Sequence, residues 1–342
     1  MPEQRTEIAS LGEFGLIGRL SDSFETTRPD SIKGIGDDAA VIDLGTEYGL
    51  LSTDLLLEGV HFDLTFAPLK HVGYKAIAVN VSDVAAMNGV PGQVTVSLAV
   101  SNRFSVEAVE ELYAGIKAAC TDFRVDLVGG DLSSSRSGLL ISVSVFGKVA
   151  KNKVVYRSTG KPNDLLCVTG DLGGAYLGLQ ILEREKQVFL ANPSMQPQLE
   201  GHDYVIQRQL KPEARMDVIF ELEEAGVVPT AMLDVSDGVA SDLLHLCSQS
   251  GVGALVFEEN LPIDEQTYLA ATELNLSPIT AALNGGEDYE LLFTVQQADY
   301  DKVKNNPKIS VIGYLTAEPG KVLLSTKGGN QIPITAQGWS HF

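Results

Sequence analysis

Seven aspartates occur in five short motifs beside small residues: Gly-Ile-Gly-Asp-Asp (34–38), Ser-Thr-Asp (52–54), Asn-Val-Ser-Asp (80–83), Gly-Gly-Asp (129–131) and Asp-Val-Ser-Asp-Gly (234–238). Carboxylates next to Gly, Ser and Thr at the ends of apolar segments are hard oxygen ligands, suited to Mg2+ or another divalent cation. Gathered without counter-ions they repel. At about 4 Å, two like charges cost roughly 1 kcal/mol in water and roughly 4 kcal/mol at an effective dielectric near 20. The aspartates are therefore either dispersed in the fold or held together by cations. The second arrangement is expected, with a phosphate-bearing substrate bridging the cations.

The motifs differ in setting. Gly34 and Gly36 free the backbone around Asp37-Asp38, which reads as ligands for one or two cations or as a surface turn. Thr53 and Asp54 follow an apolar strand, where a hydroxyl can join the carboxylate in a hard-metal shell. Asp83 interrupts a largely apolar helical segment, and Asp131, after the run Val125–Gly130, is expected at a strand's mouth. Asp234 and Asp237 flank Ser236 at a strand-to-helix turn, where a helix start also favours an anion. A site made of acids holds ATP phosphates only with Mg2+ between the two anionic partners. The cations also polarise the phosphoryl group and neutralise charge on the leaving oxygen. The chain has no P-loop, dinucleotide fingerprint, H-E-x-x-H, G-x-S-x-G or kinase catalytic-loop motif. The turn Gly170-Asp171-Leu172-Gly173-Gly174 either presents backbone amides to an anion or lets helix and strand pack closely.

The elements that must position these residues alternate. Leu50–Thr53 and Val94–Val100 have strand length, and His71–Met87 reads as a helix ended by Asn88-Gly89. Ser105 is a candidate cap for a helix over Val106–Cys120. Leu139, Ile141, Val143 and Val145 alternate with Ser142 and Ser144, as in a half-buried strand. The polar stretch Lys148–Lys153 looks like a domain connection. Beyond it come a strand at Leu165–Thr169, a helix from about Ala175, an exposed loop over Asn192–Gly201 and a helix bracketed by Pro212 and Gly226. Ala231–Val235, Leu291–Val295 and Ser310–Tyr314 read as strands, and Asp237–Ser250 as a helix stopped by Gly251.

At 342 residues the chain has room for two cores. Its net charge of −20, from 45 acidic and 25 basic residues, argues against nucleic acid as a partner. Cys120, Cys167 and Cys247 form no metal or redox spacing and read as buried reduced thiols. The first residues open no apolar signal segment, and no run of 18 apolar residues suggests a membrane span, so a cytoplasmic protein is expected.

In order along the chain, Glu13-Phe14-Gly15-Leu16-Ile17, Gly34 to Val41, Ser52-Thr53-Asp54, His61-Phe62, Tyr74-Lys75-Ala76, Ala78 to Asp83, Gly129-Gly130-Asp131, Asp234 to Gly238 and Gly285-Gly286-Glu287-Asp288-Tyr289-Glu290 resemble the thiamine-monophosphate kinase family. Asn-Val-Ser-Asp-Val-Ala-Ala-Met and Gly-Gly-Glu-Asp-Tyr-Glu-Leu are the most specific of these, and the match covers nearly the whole chain. The family shares a superfamily with aminoimidazole ribonucleotide synthetase, selenophosphate synthetase and a hydrogenase-maturation protein. The resemblance implies an α/β (α+β) chain with the two-domain aminoimidazole ribonucleotide synthetase-like fold, mixed sheets packed with helices. Residues 1–148 would be the N-terminal ATP- and Mg-binding and dimerisation domain, and 149–342 the C-terminal synthetase-like domain. The implied reaction is direct in-line transfer of the ATP γ-phosphoryl group to thiamine monophosphate, the last step of thiamine diphosphate biosynthesis, in a homodimer.

Carried over by position, the resemblance makes Asp38, Thr53, Asp54, Asp83, Asp131 and Asp234 ligands of several Mg2+ ions, with Ser52 in the same shell and Asp237 on a further ion. Gly130, Asp131, Arg157 and Ser236 resemble ATP contacts. Tyr113 lies where a ring faces the nucleotide, though alone it reads as a helix-face core residue. His61 and Glu287 resemble thiamine-phosphate contacts. Trp339 is placed against the thiamine rings or as a packing anchor, with Ala336 a second candidate for that position. Asp37 is expected to act through its neighbour. No acid, base or nucleophile is implied, because a phosphate acceptor is already an oxyanion, and catalysis rests on positioning and charge neutralisation. Two alternatives stand beside this. One is another superfamily member, disfavoured because the first 119 residues lack the Cys of selenophosphate synthetases and the chain ends Ser340-His341-Phe342 rather than in Cys. The other is a catalytically silent, acidic cation-binding protein.

Overall fold

The strands of the computed structural model, which describes residues 8–21 and 23–337, gather into two mixed sheets. The first holds β1 (Ser31–Lys33), β2 (Ala40–Asp43), β3 (Glu47–Leu57), β4 (Val90–Val100), β5 (Asp126–Ser134) and β6 (Leu139–Ala150), in the order β1-β2-β3-β6-β4-β5. The helices of this half are α1 (Gly12–Ser21), α2 (Leu69–Ala86) and α3 (Val106–Phe123). The second sheet holds β7 (Leu165–Thr169), β8 (Ala231–Asp234), β9 (Gly253–Phe257), β10 (Leu291–Val295), β11 (Ile309–Thr316), β12 (Val322–Ser325) and β13 (Gln331–Pro333), in the order β13-β12-β9-β11-β7-β10-β8. Around it lie α4 (Gly174–Ala191), α5 (Asp203–Leu210), α6 (Met216–Glu224), α7 (Val239–Ser250), α8 (Glu265–Glu273), α9 (Pro278–Asn284) and the short α10 (Tyr300–Val303).

In β6, Leu139, Ile141, Val143 and Val145 are buried while Ser142 and Ser144 reach the open face, as their period-2 alternation requires. Ser105 caps α3 by accepting from Ala108 N at 3.3 Å. α2 is apolar nearly all round because it is wrapped by both halves. It packs on β3, β4 and β6 on one side and on β8, α5 and α6 on the other. Val79, Val81 and Val84 of α2 share one buried cluster with Val143 of β6 and with Met232 and Phe293 of the second sheet. The opposite face of that sheet is covered by α7 and α9 through Leu233, Leu243, Leu283 and Leu292.

Several segments run differently from the sequence expectation. Asp54 lies inside β3 rather than after it, because β6 pairs with β3 along its whole length, from Glu47↔Ala150 to Leu57↔Leu140. Asp131 lies inside β5 rather than at a strand's mouth, opposite Ser97 of β4 in a parallel ladder. β6 continues to Ala150, so the polar stretch at 148–153 is strand before it is connection. Pro212 is not the first residue of α6. The chain stays irregular to Arg215, whose Nη1 is 2.8 Å from the buried Glu290, and the helix opens at Met216.

Candidate active site

The polar residues of the buried helix α2 build one wall of a cleft between the two sheets. Asn80 and Ser82 are fully buried, and each has a defined partner. Asn80 Oδ1 accepts from Asp54 N at 3.2 Å, which ties β3 to the helix. Ser82 Oγ donates to Asp234 Oδ2 at 2.6 Å, at the end of β8. Ser52 Oγ donates to Asp83 Oδ2 at 2.5 Å. Thr53 Oγ1 donates to Val143 O at 2.9 Å and is thereby turned toward β6. Asp38 comes from the loop before β2, where Arg157 Nη2 donates to its Oδ1. Arg157 N also donates to Asp37 Oδ1 at 3.2 Å.

Asp38, Asp83 and Asp234 thus arrive from a loop, a helix and a strand, and each offers an oxygen within 4.8 Å of the other two. Three carboxylates so close cannot all carry charge unaided. Burial, together with Asp234 and Asp37, pushes Asp38 up to about 7 against the pull of Arg157. Burial and Asp234 push Asp54 up to about 6. Burial raises Asp83 well above the ordinary carboxylate range, with Asp54 and Asp234 adding to it, and burial also raises Asp234 against its Ser82 hydrogen bond. Asp37 Oδ2 and Asp38 Oδ2 are buried without a hydrogen-bond partner. Asp37 Oδ2 has Lys33 Nζ at 3.9 Å, and the Asp38 oxygen, in an all-oxygen donor set, fits a hard divalent cation.

The cleft has a volume of about 1130 Å³ and is lined by Asp37, Asp38, Ser52, Thr53, Asp54, His61, Asp83, Arg157, Asp234, Ser236, Asp237 and Glu287 among others. Glu287 reaches it from a strained loop, since both Glu287 and Tyr289 have positive φ, 59° and 51°. The loop is pinned to the Asp234 turn by Glu287 N donating to Ser236 O at 2.7 Å and Tyr289 N to Val235 O at 2.9 Å. Gly286 is required there: its φ is +71°, and an added Cβ would lie 2.8 Å from Ser236 O. Only Glu287 of the three acids in this motif lines the cleft. Asp288 accepts from Gly173 N at 2.7 Å and Ala175 N at 3.2 Å, and Glu290 is held by Arg208 and Arg215. In the 170–174 turn, Gly173 N is thus taken by the protein's own Asp288, Gly170 N by Lys308 O at 2.9 Å and Leu172 N by Pro262 O at 3.0 Å, rather than left for an external anion.

The structure does not bring every expected residue to this cleft. Gly130 and Asp131 lie on β5, an edge strand exposed throughout, and Tyr113 lies on α3 with 37% exposure; none of the three lines the cleft. Gly130 has a packing reason to be glycine, since a Cβ there would meet Val96 O at 1.8 Å. Trp339 lies outside the described residues. Ala336 is exposed, while the next residue, Gln337, lines the cleft and donates from its N to Asn284 Oδ1 at 2.8 Å. Sequence reasoning missed three cleft residues. Lys75 contacts Glu287, and its signal was a lysine within an apolar helix. Gln209 also contacts Glu287 and gave no signal. Asp242 is buried, accepts from Gly238 N at 3.1 Å, and is raised well above its usual range by burial and then by Asp237, Asp234 and Asp38.

Comparison with known proteins agrees with this architecture. The family descriptions "AIR synthase related protein, N-terminal domain" and "AIR synthase related protein, C-terminal domain" match residues 36–149 and 161–325. Two such domains in tandem define the class of the fold. A thiamine-monophosphate kinase of Aquifex aeolicus is 35% identical over 337 residues, covering 98% of this chain and 99% of that protein. One from Bacillus subtilis is 34% identical, covering 97% and 100%. The solved structure of AaThiL complexed with AMPPCP and TMP superposes with a TM-score of 0.83 at 33% identity, covering 99% of each chain. The chain belongs to the thiamine-monophosphate kinase family.

Proposed function

We propose that the cleft phosphorylates thiamine monophosphate with ATP, giving thiamine diphosphate and ADP by direct in-line transfer, the last step of thiamine diphosphate biosynthesis. The observation that carries this is the convergence of Asp38, Asp83 and Asp234 within 4.8 Å in a cleft of about 1130 Å³, in a chain whose near-full-length relatives are thiamine-monophosphate kinases. A solved relative bound AMPPCP, an ATP analogue, together with TMP.

Asp38, Asp54, Asp83 and Asp234, with Ser52 and Thr53, would hold Mg2+, and Asp237 a further ion; bound there, Mg2+ neutralises phosphate charge and polarises the transferring group. Arg157, already beside Asp38, directs a guanidinium at an ATP phosphate, and Ser236 lies on the same turn as Asp234. His61 and Glu287 face the acceptor, His61 with its Nδ1 accepting from Leu57 N at 3.0 Å. Trp339 is assigned to the thiamine rings by the resemblance alone. No side chain is needed to deprotonate an acceptor phosphate, so the protein's work is to orient the two phosphates and exclude competing water.

Tyr113, Gly130 and Asp131 enter the reading through a homodimer. The exposed β5 edge, with Leu127, Val128 and Leu132 uncovered, supports pairing through the first sheet, which would bring these residues toward a nucleotide. We take residues 1–148 as the ATP- and Mg-binding, dimerising domain and 149–342 as the synthetase-like domain. The change of sheet between β6 and β7 supports the division. Among the described residues no helix is long and apolar enough to cross a membrane, and a cytoplasmic location is part of the same proposal.

The test is incubation of the purified protein with ATP, Mg2+ and thiamine monophosphate, followed by chromatography, with free thiamine as a control acceptor. Thiamine diphosphate from the monophosphate, abolished by EDTA, is the expected result. Diphosphate from free thiamine would indicate a pyrophosphokinase, and no product from a folded, ATP-binding preparation would require a different acceptor.

A further inference from the structure

We propose that Lys75 is a positioning residue for the acceptor end of the cleft: with Gln209, it fixes the Glu287 carboxylate at a set distance from the aspartate cluster. The proposal rests on the reading of Glu287 as an acceptor contact and deepens it.

Three elements meet at this carboxylate. Lys75 Nζ, from α2, lies 2.7 Å from Glu287 Oε1. Gln209 Nε2, from α5, donates to Glu287 Oε2 at 2.7 Å. Lys75 Nζ also donates to Gln209 O at 3.5 Å, which ties the two grips together. The Lys75 side chain is 6% exposed, whereas that of Glu287 is 29% exposed. The pair is asymmetric: the cation is hidden and the carboxylate is open toward the cleft.

A buried ammonium is a costly way to fill space on an apolar helix, because it loses its hydration and needs a partner. A Met of similar length would pack at this position without that penalty. What Lys supplies is directed charge on one oxygen of Glu287. An ionised carboxylate has about four acceptor sites, and Lys75 and Gln209 occupy two of them. The others remain for an N–H-bearing or cationic heterocycle in the cleft.

The geometry explains why the clamp sits on α2. The same helix carries Asp83, eight residues further on, so the rigid helix sets the two positions about 12 Å apart along its axis. The grip also holds a backbone that would otherwise relax, since Glu287 sits at a φ of 59° and strained conformations persist only where their surroundings enforce them. Without Lys75 the carboxylate keeps only the Gln209 hydrogen bond and can pivot about it away from the acceptor, while the aspartate cluster, reached through Ser52 and Ser82, keeps its hydrogen bonds.

The experiment uses Lys75→Met and Glu287→Gln, singly and together, in the full chain with Mg2+, ATP and thiamine monophosphate. Lys75→Met is expected to raise the acceptor KM about ten- to hundredfold, as for loss of a charged hydrogen bond, with the ATP KM and kcat little changed. The double variant is expected to be no worse than the more damaging single change, because both act through one contact. A loss confined to kcat, equal changes in both KM values, or additive effects would overturn the proposal. If Glu287→Gln leaves the acceptor KM unchanged, the reading of Glu287 fails. If it raises that KM while Lys75→Met does not, the role of Lys75 alone fails. Should Lys75→Met not fold, Gln209→Met releases the other oxygen and carries the same expected and refuting results.

Discussion

Replacing Asp83 by Asn tests whether the cleft is a shared cation site, because the change should stabilise the metal-free protein while weakening its response to metal. Asn keeps the side-chain volume and an oxygen that can accept from Ser52 Oγ, now 2.5 Å from Asp83 Oδ2. It removes one charge from three carboxylates lying within 4.8 Å of one another. At that separation and an effective dielectric near 20, each ionised pair repels by roughly 3.5 kcal/mol. Asp83 takes part in two of the three pairs, so the upper bound on relief is roughly 7 kcal/mol. Burial and its acidic neighbours already favour a proton on Asp83 in the metal-free cluster, which relieves most of this, and on the order of 1 kcal/mol is left for the variant to gain. With roughly 2 °C per kcal/mol for a chain of this size, Asp83→Asn should melt roughly 2 °C higher than the parent without metal. In excess Mg2+ the order should reverse: the parent gains stability by linkage, about 2.7 kcal/mol at a hundredfold excess over Kd, and the variant gains little. Differential scanning fluorimetry with and without Mg2+, beside the kinase assay, reads both effects. A variant that melts lower than the parent without metal yet keeps the full Mg2+ shift would refute the shared site.

Metal and pH should be linked in the same measurement. Asp38 and Asp54 are raised to about 7 and about 6 from the ordinary 3.8, so the folded metal-free state binds more protons than the unfolded chain between roughly pH 4 and 7. Its melting temperature should therefore fall as pH rises through that window. Saturating Mg2+, which requires ionised carboxylates, should remove this slope; an identical slope in both conditions would count against it. Asp288→Ala removes the acceptor for Gly173 N and Ala175 N and leaves two buried donors unpaired, so a loss of about 2–4 kcal/mol is expected in urea unfolding. A neutral result would mean the α4 start is satisfied otherwise. Arg157→Lys keeps a cation but gives up the planar fork beside Asp37 and Asp38. It should raise the ATP KM more than the acceptor KM, and the opposite ordering would place Arg157 on the acceptor.

What the sequence made legible, and what it hid, follows from how each residue reaches the cleft. The aspartates showed because a carboxylate embedded in Gly, Ser and Val has no packing reason to be there. Ser52 and Ser82 were visible only as neighbours of those acids, yet Ser52 of β3 orients Asp83 of α2 and Ser82 of α2 orients Asp234 of β8, relations that need the fold. Strand limits were blurred where pairing overrides local polarity: β3 carries Ser52 and Asp54 through its middle because β6 matches it residue for residue. Gln209 left no trace, since a Gln on a short amphipathic helix is ordinary until the helix is docked against α2 and its amide meets Glu287. The Gly-Gly-Glu-Asp-Tyr-Glu motif shows a different relation between sequence and site. Its acids look equivalent in sequence, but alternation in a loop entering β10 sends Glu287 to the cleft and turns Asp288 and Glu290 inward, onto the α4 amides and two arginines. A run of acidic residues is therefore not a run of ligands. The two that are held by internal partners, Asp288 by the α4 amides and Glu290 by two arginines, are scaffold, and Glu287, whose carboxylate is both gripped and partly exposed, is the one left open to the cleft.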